Sequence, residues 1–167
     1  MDKKVLSEIA LYYGDVKMPE GWEVNPLNLC KQLFEALYHE KDFSFCKDWD
    51  KVNTYVREHI RIKYNVILEN KDSWANAYIP NEKTETLSHV DPMNLDDSAD
   101  FVLLYGINTL DCRIKINFDD NKKKGKVWNI DFKKNMFVMF PSTNTYSIEN
   151  NQKNSLNFIQ TITYERI

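Results

Sequence analysis

The sequence predicts an α+β protein that is mainly β, a jelly roll of antiparallel strands with two N-terminal helices packed on one sheet. Two observations lead to this fold class. Apolar residues recur at helical spacing as far as about residue 65, and beyond it they alternate in short runs separated by turn residues. Helices followed by about eight short strands are typical of an antiparallel double sheet.

The N-terminal part contains one strand and two helices. The alternating residues 5–13 predict an edge strand that ends in a turn at Gly14-Asp15. A loop over residues 17–25 leads to a first helix over residues 27–39, with Asn25 as its cap and Pro26 in its first turn. An aromatic loop follows, with Phe43, Phe45 and Trp49. The second helix is predicted from the spacing of Val52, Tyr55, Val56, Ile60 and Tyr64.

The remaining chain consists of short strands and turns. Strands are predicted at residues 66–68, 74–79, 101–105, 112–118, 126–130, 136–140, 146–148 and 156–164. Turn residues lie between them, and the basic run 122–124 before Gly125 is predicted to be a solvated hairpin tip. No internal repeat or linker interrupts the pattern, so residues 1–167 are predicted to form one domain. Its N-terminal part is residues 1–65 and its core is residues 66–167.

Charge and hydropathy exclude several classes of partner. The formal net charge of -3 and the pI near 5.7 give no electrostatic reason to expect nucleic acid. No apolar run approaches the ~20 residues of a membrane span, and the N-terminus lacks the apolar segment of a signal peptide. A cytoplasmic location without membrane contact is therefore expected by default. Homodimerisation through the N-terminal strand or helices is conceivable.

The three cysteines are expected to be reduced thiols. Cys30, Cys46 and Cys112 are an odd number at wide spacing, which indicates neither a disulfide framework nor a zinc site.

One short motif has the residue types of a metal site. His89 and Asp91 lie on the same side of the chain if this stretch is extended. Together they supply two ligands of the 2-His-1-carboxylate triad that binds non-haem iron, and a second imidazole must come from elsewhere. His39 and His59 are isolated at helical positions and are interpreted as surface or packing residues. The structural alternative is a polar pair at a strand end, with Asp91 capping the turn into residues 92–94.

Residues 74–164 resemble the double-stranded β-helix core of the iron(II)- and 2-oxoglutarate-dependent oxygenases, particularly small members found in phage and marine bacterial genomes. The resemblance covers a little over half of the chain and depends on the order of its motifs. They are Ser73-Trp74 with Asn76, His89-x-Asp91, Tyr105-Gly106, a turn near Gly125 and Phe140-Pro141-Ser142. It implies Fe(II) and 2-oxoglutarate as cofactors, His89 and Asp91 as iron ligands, and Asn76 and Tyr105 as residues of the cosubstrate pocket.

The sequence departs from that family at two positions. The position of the distal iron-binding histidine holds Tyr146, and no histidine follows His89. The position of the 2-oxoglutarate-binding arginine falls near Ser155 or Leu156, neither of which is a cation. The candidate metal ligands are therefore His89, Asp91 and Tyr146. Arg113 and Lys153 are the candidate replacements for the arginine.

The predicted function is that of an iron/2-oxoglutarate-dependent oxygenase homologue, a hydroxylase by resemblance, with an altered metal and cosubstrate site. The alternative is a non-catalytic jelly-roll binding or structural module that has lost both cofactors, a phage-associated pseudoenzyme. A third interpretation is a cupin-like protein that binds a metal or a small ligand without 2-oxoglutarate.

Overall fold

The structure is a computed structural model that describes residues 10–17, 27–28, 31, 34–35, 38, 47–121 and 124–167. The described chain forms one long helix, α1 (Lys47–Tyr64), and a short 3-10 helix (Leu95–Asp97). The strands are β1 (Tyr12–Asp15), β2 (Leu68–Tyr78), β3 (Phe101–Asn108), β4 (Cys112–Asn121), β5 (Lys124–Phe132), β6 (Met136–Pro141), β7 (Tyr146–Asn150) and β8 (Asn157–Arg166).

The strands form two antiparallel sheets that face each other as a β-sandwich. The larger sheet has five strands in the order β1-β6-β3-β8-β2, and the smaller has three in the order β5-β4-β7. Their facing sides bury one apolar cluster, which includes Val102, Leu104, Ile114, Ile116, Val138, Phe140, Tyr146, Ile148 and Ile159. Because side chains alternate along a strand, the chain neighbours of these residues face the outer sides of the two sheets. The predicted class, mainly β with antiparallel sheets, is confirmed.

The outer side of the five-stranded sheet carries the helix. Val52, Val56 and Ile60 recur every four residues along α1 and are almost fully buried in a second apolar cluster with Leu103 and Ile162. The Tyr164 hydroxyl donates a hydrogen bond of 2.9 Å to Asn53 Oδ1 within this layer. Arg61 and Lys63 in the last turn complement the negative end of the helix dipole. The helix therefore covers one sheet face and leaves the interior between the sheets to other residues.

Several predicted element boundaries are wrong, and three of them show the cause. Residues 66–68 and 74–79 were predicted as separate strands, but β2 runs unbroken from Leu68 because it pairs with β8 along its whole length, apart from one bulge. The predicted turn at Gly14-Asp15 lies in β1, which pairs with the edge of β6. Trp49, predicted in a loop, lies within α1. In each case pairing or helix packing extended an element past its local turn signals.

The predicted first helix lies mostly outside the described residues. Its described positions are all helical and exposed: Leu27, Asn28, Lys31, Phe34, Glu35 and Tyr38. Residues 5–9 of the predicted first strand, the tip residues 122–123, Cys30 and Cys46 also lie outside the described residues. Cys112 is a free thiol buried between the sheets, and burial raises its pKa to about 12.

A segment without regular strand structure lies beside β7 and carries the His-x-Asp motif. Lys83 forms an isolated antiparallel bridge with Glu149, and Leu87 forms another with Tyr146. The Leu87 N–H donates to the Tyr146 carbonyl at 2.7 Å, and the Tyr146 N–H donates back at 3.1 Å. This segment therefore occupies the edge of the smaller sheet and brings His89 to the start of β7.

No helix within the described ranges has the length and apolarity that crossing a bilayer requires.

Candidate functional site

The imidazole of His89 and the phenol of Tyr146 are in direct contact. His89 Nε2 and Tyr146 Oη are 2.8 Å apart, a normal hydrogen-bond distance, and the two rings are nearly parallel with centroids 5.7 Å apart. The contact follows from the Leu87–Tyr146 bridge, since His89 is two residues beyond Leu87. The structure thus brings together two residues that are 57 positions apart in the sequence.

Aromatic rings enclose this pair on both sides. The Trp74 ring on β2 lies 5.4 Å from the His89 ring, and the Phe140 ring on β6 lies 5.3 Å from the Tyr146 ring, measured between centroids. Tyr146 is 2% exposed, whereas His89 is half-buried. Burial raises the pKa of Tyr146 and lowers the pKa of His89, because both charged forms lose hydration. At neutral pH the pair is an uncharged phenol bonded to an uncharged imidazole.

Asp91 is exposed, and its side chain caps a turn. Its Oδ1 accepts a 2.8 Å hydrogen bond from the Met93 N–H, and its own N–H donates to Ser98 Oγ at 3.0 Å. The Asn94 N–H closes the turn on the Asp91 carbonyl at 3.1 Å. This is the turn-capping geometry that the sequence offers as the structural alternative. Asp91 nevertheless remains on the wall of the same cleft as His89.

The cleft beside His89 has a volume of about 310 Å³ and is lined by residues that include Lys71, Asp72, Trp74, His89, Asp91 and Thr163. We refer to it as the His89 cleft. Lys71 at its rim is bonded to the Asp97 side chain at 2.8 Å and to Glu165 at 3.0 Å, and also to the Asp97 carbonyl. These bonds raise the pKa of Lys71 and lower the pKa of Asp97. They tie the 3-10 helix to β2 and β8 at the mouth of the cleft.

The four candidate cosubstrate residues do not converge on the His89 cleft. Asn76 is exposed on β2, and its side chain bonds to Tyr78. Tyr105 lies in the helix-side cluster, across the sheet from His89, with its hydroxyl bonded to Asn135 Oδ1 at 2.8 Å. Arg113 faces solvent on β4, 3.5 Å from Asp131. Lys153 is exposed in the loop between β7 and β8. Asn76 shares a strand face with Trp74, but none of the four lines the His89 cleft.

A satisfied polar network occupies the part of the interior where β8 begins. The Asn157 amide accepts from the Leu110 N–H at 2.8 Å and donates to Asn150 Oδ1 at 2.8 Å. Asn150 in turn donates to the carbonyls of Tyr78 and Ile79, both at 2.9 Å. Asn157 and Asn150 are each 1% exposed, and no Arg or Lys is among the buried polar residues of the described chain. These amides bond to each other and to backbone, so they offer no cation to a carboxylate.

The donor set does not fit the iron and 2-oxoglutarate that the family resemblance implies. A facial iron site needs two imidazoles and a carboxylate, and a bound 2-oxoglutarate needs a buried cation. Here Tyr146 stands where the second imidazole is expected, and its buried phenol already bonds His89. No Arg or Lys is among the buried residues that the structure describes. Within those residues, no group of three or more His, Cys, Asp and Glu side chains could hold a metal ion.

Sequence reasoning did not assign a site role to three residues of this region. From the sequence, Trp74 is named only within the Ser73-Trp74 motif of the resemblance, Lys71 is not named, and Asn157 is only part of a predicted strand. The signal for Trp74 was its place two residues before Asn76 on the same strand face, which puts it on the side of Tyr78 between the sheets. Lys71 and Asn157 carry no local signal, because their partners come from distant segments.

Lowering the pH is expected to destabilise the protein through His89. The pKa of His89 is below its ordinary value in the folded state, so the unfolded chain takes up the proton first as the pH falls through about 6.5. The His89 contribution to stability is therefore complete above that pH and is lost below it. Urea unfolding should show that the free energy of unfolding decreases less between about pH 7.5 and about pH 5.5 in His89→Gln than in the wild type. Equal decreases in both proteins would contradict the assignment.

Comparison with known proteins identifies the fold but no family. No family model matches the chain, and no curated protein sequence matches it. A prolyl-4-hydroxylase from Pseudomonas putida superposes with a TM-score of 0.64 over 94% of this chain and 88% of that chain, at 14% identity. An oxidoreductase of the 2OG-Fe(II) oxygenase family from Burkholderia pseudomallei gives a TM-score of 0.47 over 93% and 66%, at 6% identity. Drosophila melanogaster CENP-C bound to CAL1 gives 0.38 over 72% and 100%, at 9% identity.

Proposed function

We propose that this chain is a homologue of the iron/2-oxoglutarate oxygenases with an altered metal and cosubstrate site, which binds a ligand in the His89 cleft without oxidative turnover. The single observation that carries this proposal is the 2.8 Å hydrogen bond between His89 Nε2 and Tyr146 Oη. It engages the nitrogen that would ligate a metal. It also puts a phenol where the resemblance expects the second imidazole.

The strand order supports the homology. With the bridged segment at residues 83–87 added beside β7, the smaller sheet becomes a layer in the order segment-β7-β4-β5. The larger sheet contains β6-β3-β8-β2 with β1 added at its edge. From β2 to β8 the chain therefore passes back and forth between two layers of four, with the β4–β5 hairpin inside the smaller layer, and this order supports a double-stranded β-helix. The fold likeness to a prolyl-4-hydroxylase agrees with this topology.

The chemistry of the pair argues against the family reaction. A phenol with a raised pKa stays protonated at neutral pH, and a neutral phenol is a poor ligand for ferrous iron compared with imidazole. The charge that would hold 2-oxoglutarate is also missing, because no Arg or Lys is among the described buried residues. Leaving a carboxylate without a cationic partner in such a place costs several kcal/mol. The missing imidazole and the missing cation both weaken binding of iron and 2-oxoglutarate.

Anaerobic titration with ferrous iron and 2-oxoglutarate tests this proposal. We expect no visible charge-transfer band, since neither the ligand set nor the anion site of the family is present. Metal analysis of the purified wild type and of His89→Ala should give the same low stoichiometry. A band in the wild type that is lost in Tyr146→Phe would overturn the proposal and make Tyr146 an iron ligand. A band that persists in Tyr146→Phe would overturn it as well.

A further inference from the structure

The charges and rings of the His89 cleft indicate what kind of molecule it accepts. We propose that the cleft binds an organic cation with a guanidinium or ammonium group, and that it disfavours anions. This inference rests on the proposed function, since it assumes that iron and 2-oxoglutarate do not occupy the cleft. It is argued from three features: the aromatic wall, the charge balance of the lining, and the uncharged floor.

The aromatic wall consists of Trp74 and His89. Their ring centroids are 5.4 Å apart with an angle of 51° between the planes, so the rings are tilted and do not stack. Both side chains are partly exposed, and both line the cleft. The face of an indole attracts cations more strongly than any other side-chain ring.

The lining has more negative than positive charge. It contains one cation, Lys71, and three carboxylates, Asp72, Asp91 and Asp97. Lys71 is already bonded to Asp97 and to Glu165, at 2.8 and 3.0 Å. Asp72 and Asp91 each accept one backbone N–H on Oδ1, at 2.7 and 2.8 Å, and have no cation beside them among the described contacts. Two carboxylates in the same lining as the Trp74 indole are a suitable environment for a guanidinium, and they repel a dicarboxylate.

The floor of the cleft is uncharged and built by the core. Ala99 and Thr163 are 6% and 5% exposed, and Thr163 lies on β8 opposite Asp72 of β2. The volume of about 310 Å³ is at the small end of ligand pockets. A ligand of the size of an arginine side chain would place its charged group at Trp74 and Asp91. The site is therefore an open cleft with an aromatic side, an acidic rim and an uncharged floor.

Isothermal titration with agmatine, which carries both a guanidinium and an ammonium group, tests the inference. We expect agmatine to bind the wild type, and Asp91→Asn and Trp74→Leu each to weaken binding about fivefold or more. Asp131→Asn is the matched control. It also removes one exposed carboxylate, but on the outer face of the smaller sheet beside Arg113, and should leave binding unchanged. Glutarate, an anion with a five-carbon chain, should not bind.

Several outcomes would overturn the inference. These are the absence of agmatine binding, tighter binding of glutarate than of agmatine, or equal affinity in the wild type and Asp91→Asn. A loss in Asp91→Asn without any change in Trp74→Leu would indicate a simple carboxylate contact and would also overturn it. Asp91 is exposed, so its variant tests the site even if Trp74→Leu fails to fold. If agmatine does not bind and iron with 2-oxoglutarate gives no charge-transfer band, only this inference is contradicted. A charge-transfer band contradicts the proposed function.

Discussion

Tyr146→His is expected to raise the affinity of the protein for Co(II), used as an air-stable substitute for ferrous iron, by at least about 100-fold. The phenol of Tyr146 is already 2.8 Å from His89 Nε2, so an imidazole at the same position would face the same point in space. With Asp91 on the wall of the same cleft, the substitution supplies the missing ligand of a 2-His-1-carboxylate set. Since even the outer partners of metal ligands change affinity 10–100-fold, a third direct ligand should do at least as much. Calorimetry and the visible spectrum of bound Co(II) measure the gain.

Two variants control this experiment. Tyr146→Phe removes the hydroxyl without adding a ligand, and we expect it to bind Co(II) no better than the wild type. The double variant with His89→Ala should lose the gain, because one of the two imidazoles is gone. Circular dichroism checks the fold of each variant, since Tyr146 is 2% exposed and packs against Phe140. A folded Tyr146→His protein without added affinity would mean that positions 89, 91 and 146 do not converge on one metal position.

Gly106→Ala is expected to lower the free energy of unfolding by about 3 kcal/mol. A Cβ atom at position 106 would collide with the Lys133 carbonyl oxygen and lie 2.8 Å from Thr109 Oγ1. The backbone cannot move away easily, because the Gly106 carbonyl accepts a 2.7 Å hydrogen bond from the Asn135 N–H. Its strand, β3, is also central in the larger sheet, between β6 and β8. Thermal unfolding should show a decrease in Tm of roughly 6–12 °C.

Gly14→Ala is the matched control for this prediction. A Cβ atom at position 14 would lie 3.5 Å from Phe137 Cε1, which is ordinary van der Waals contact. The same substitution in the same sheet should therefore change the free energy of unfolding by less than about 1 kcal/mol. If the two variants lost equal stability, the cost would come from replacing a strand glycine in general and not from the close approach at Lys133.

The strands were more predictable than their boundaries. Alternation is a local property, so the runs that became β3, β4, β6 and β8 could be identified from the sequence. The ends could not, because the pairing of Leu68 with Arg166 and of Gly14 with Phe137 depends on residues far along the chain. The segment from Lys83 to Leu87 has no alternation at all. Only its two bridges to β7 reveal that it lies at the edge of the smaller sheet.

The candidate site, like the strands, was only partly predictable from the sequence. The order of motifs selected His89 and Tyr146 together, and the structure brings their side chains into contact. Whether either residue binds a metal stays a prediction. Tyr105, Arg113 and Lys153 were chosen because a hydrogen-bonding or cationic side chain was needed on or near those strands. Which face of a strand each side chain occupies is set by register, and register placed Tyr105 on the helix side and Arg113 on the outer side.

By itself, the sequence determined that the chain is a mainly β protein with antiparallel strands, and that an imidazole and a carboxylate lie two residues apart in its motif. These follow from short-range spacing, whereas Tyr146 was selected only through the resemblance to a known family. Only the tertiary structure decided that the phenol bonds the imidazole and that asparagine amides fill the start of β8. The physical reason is that each of these contacts joins segments whose distance is fixed by the pairing of strands and not by the chain between them.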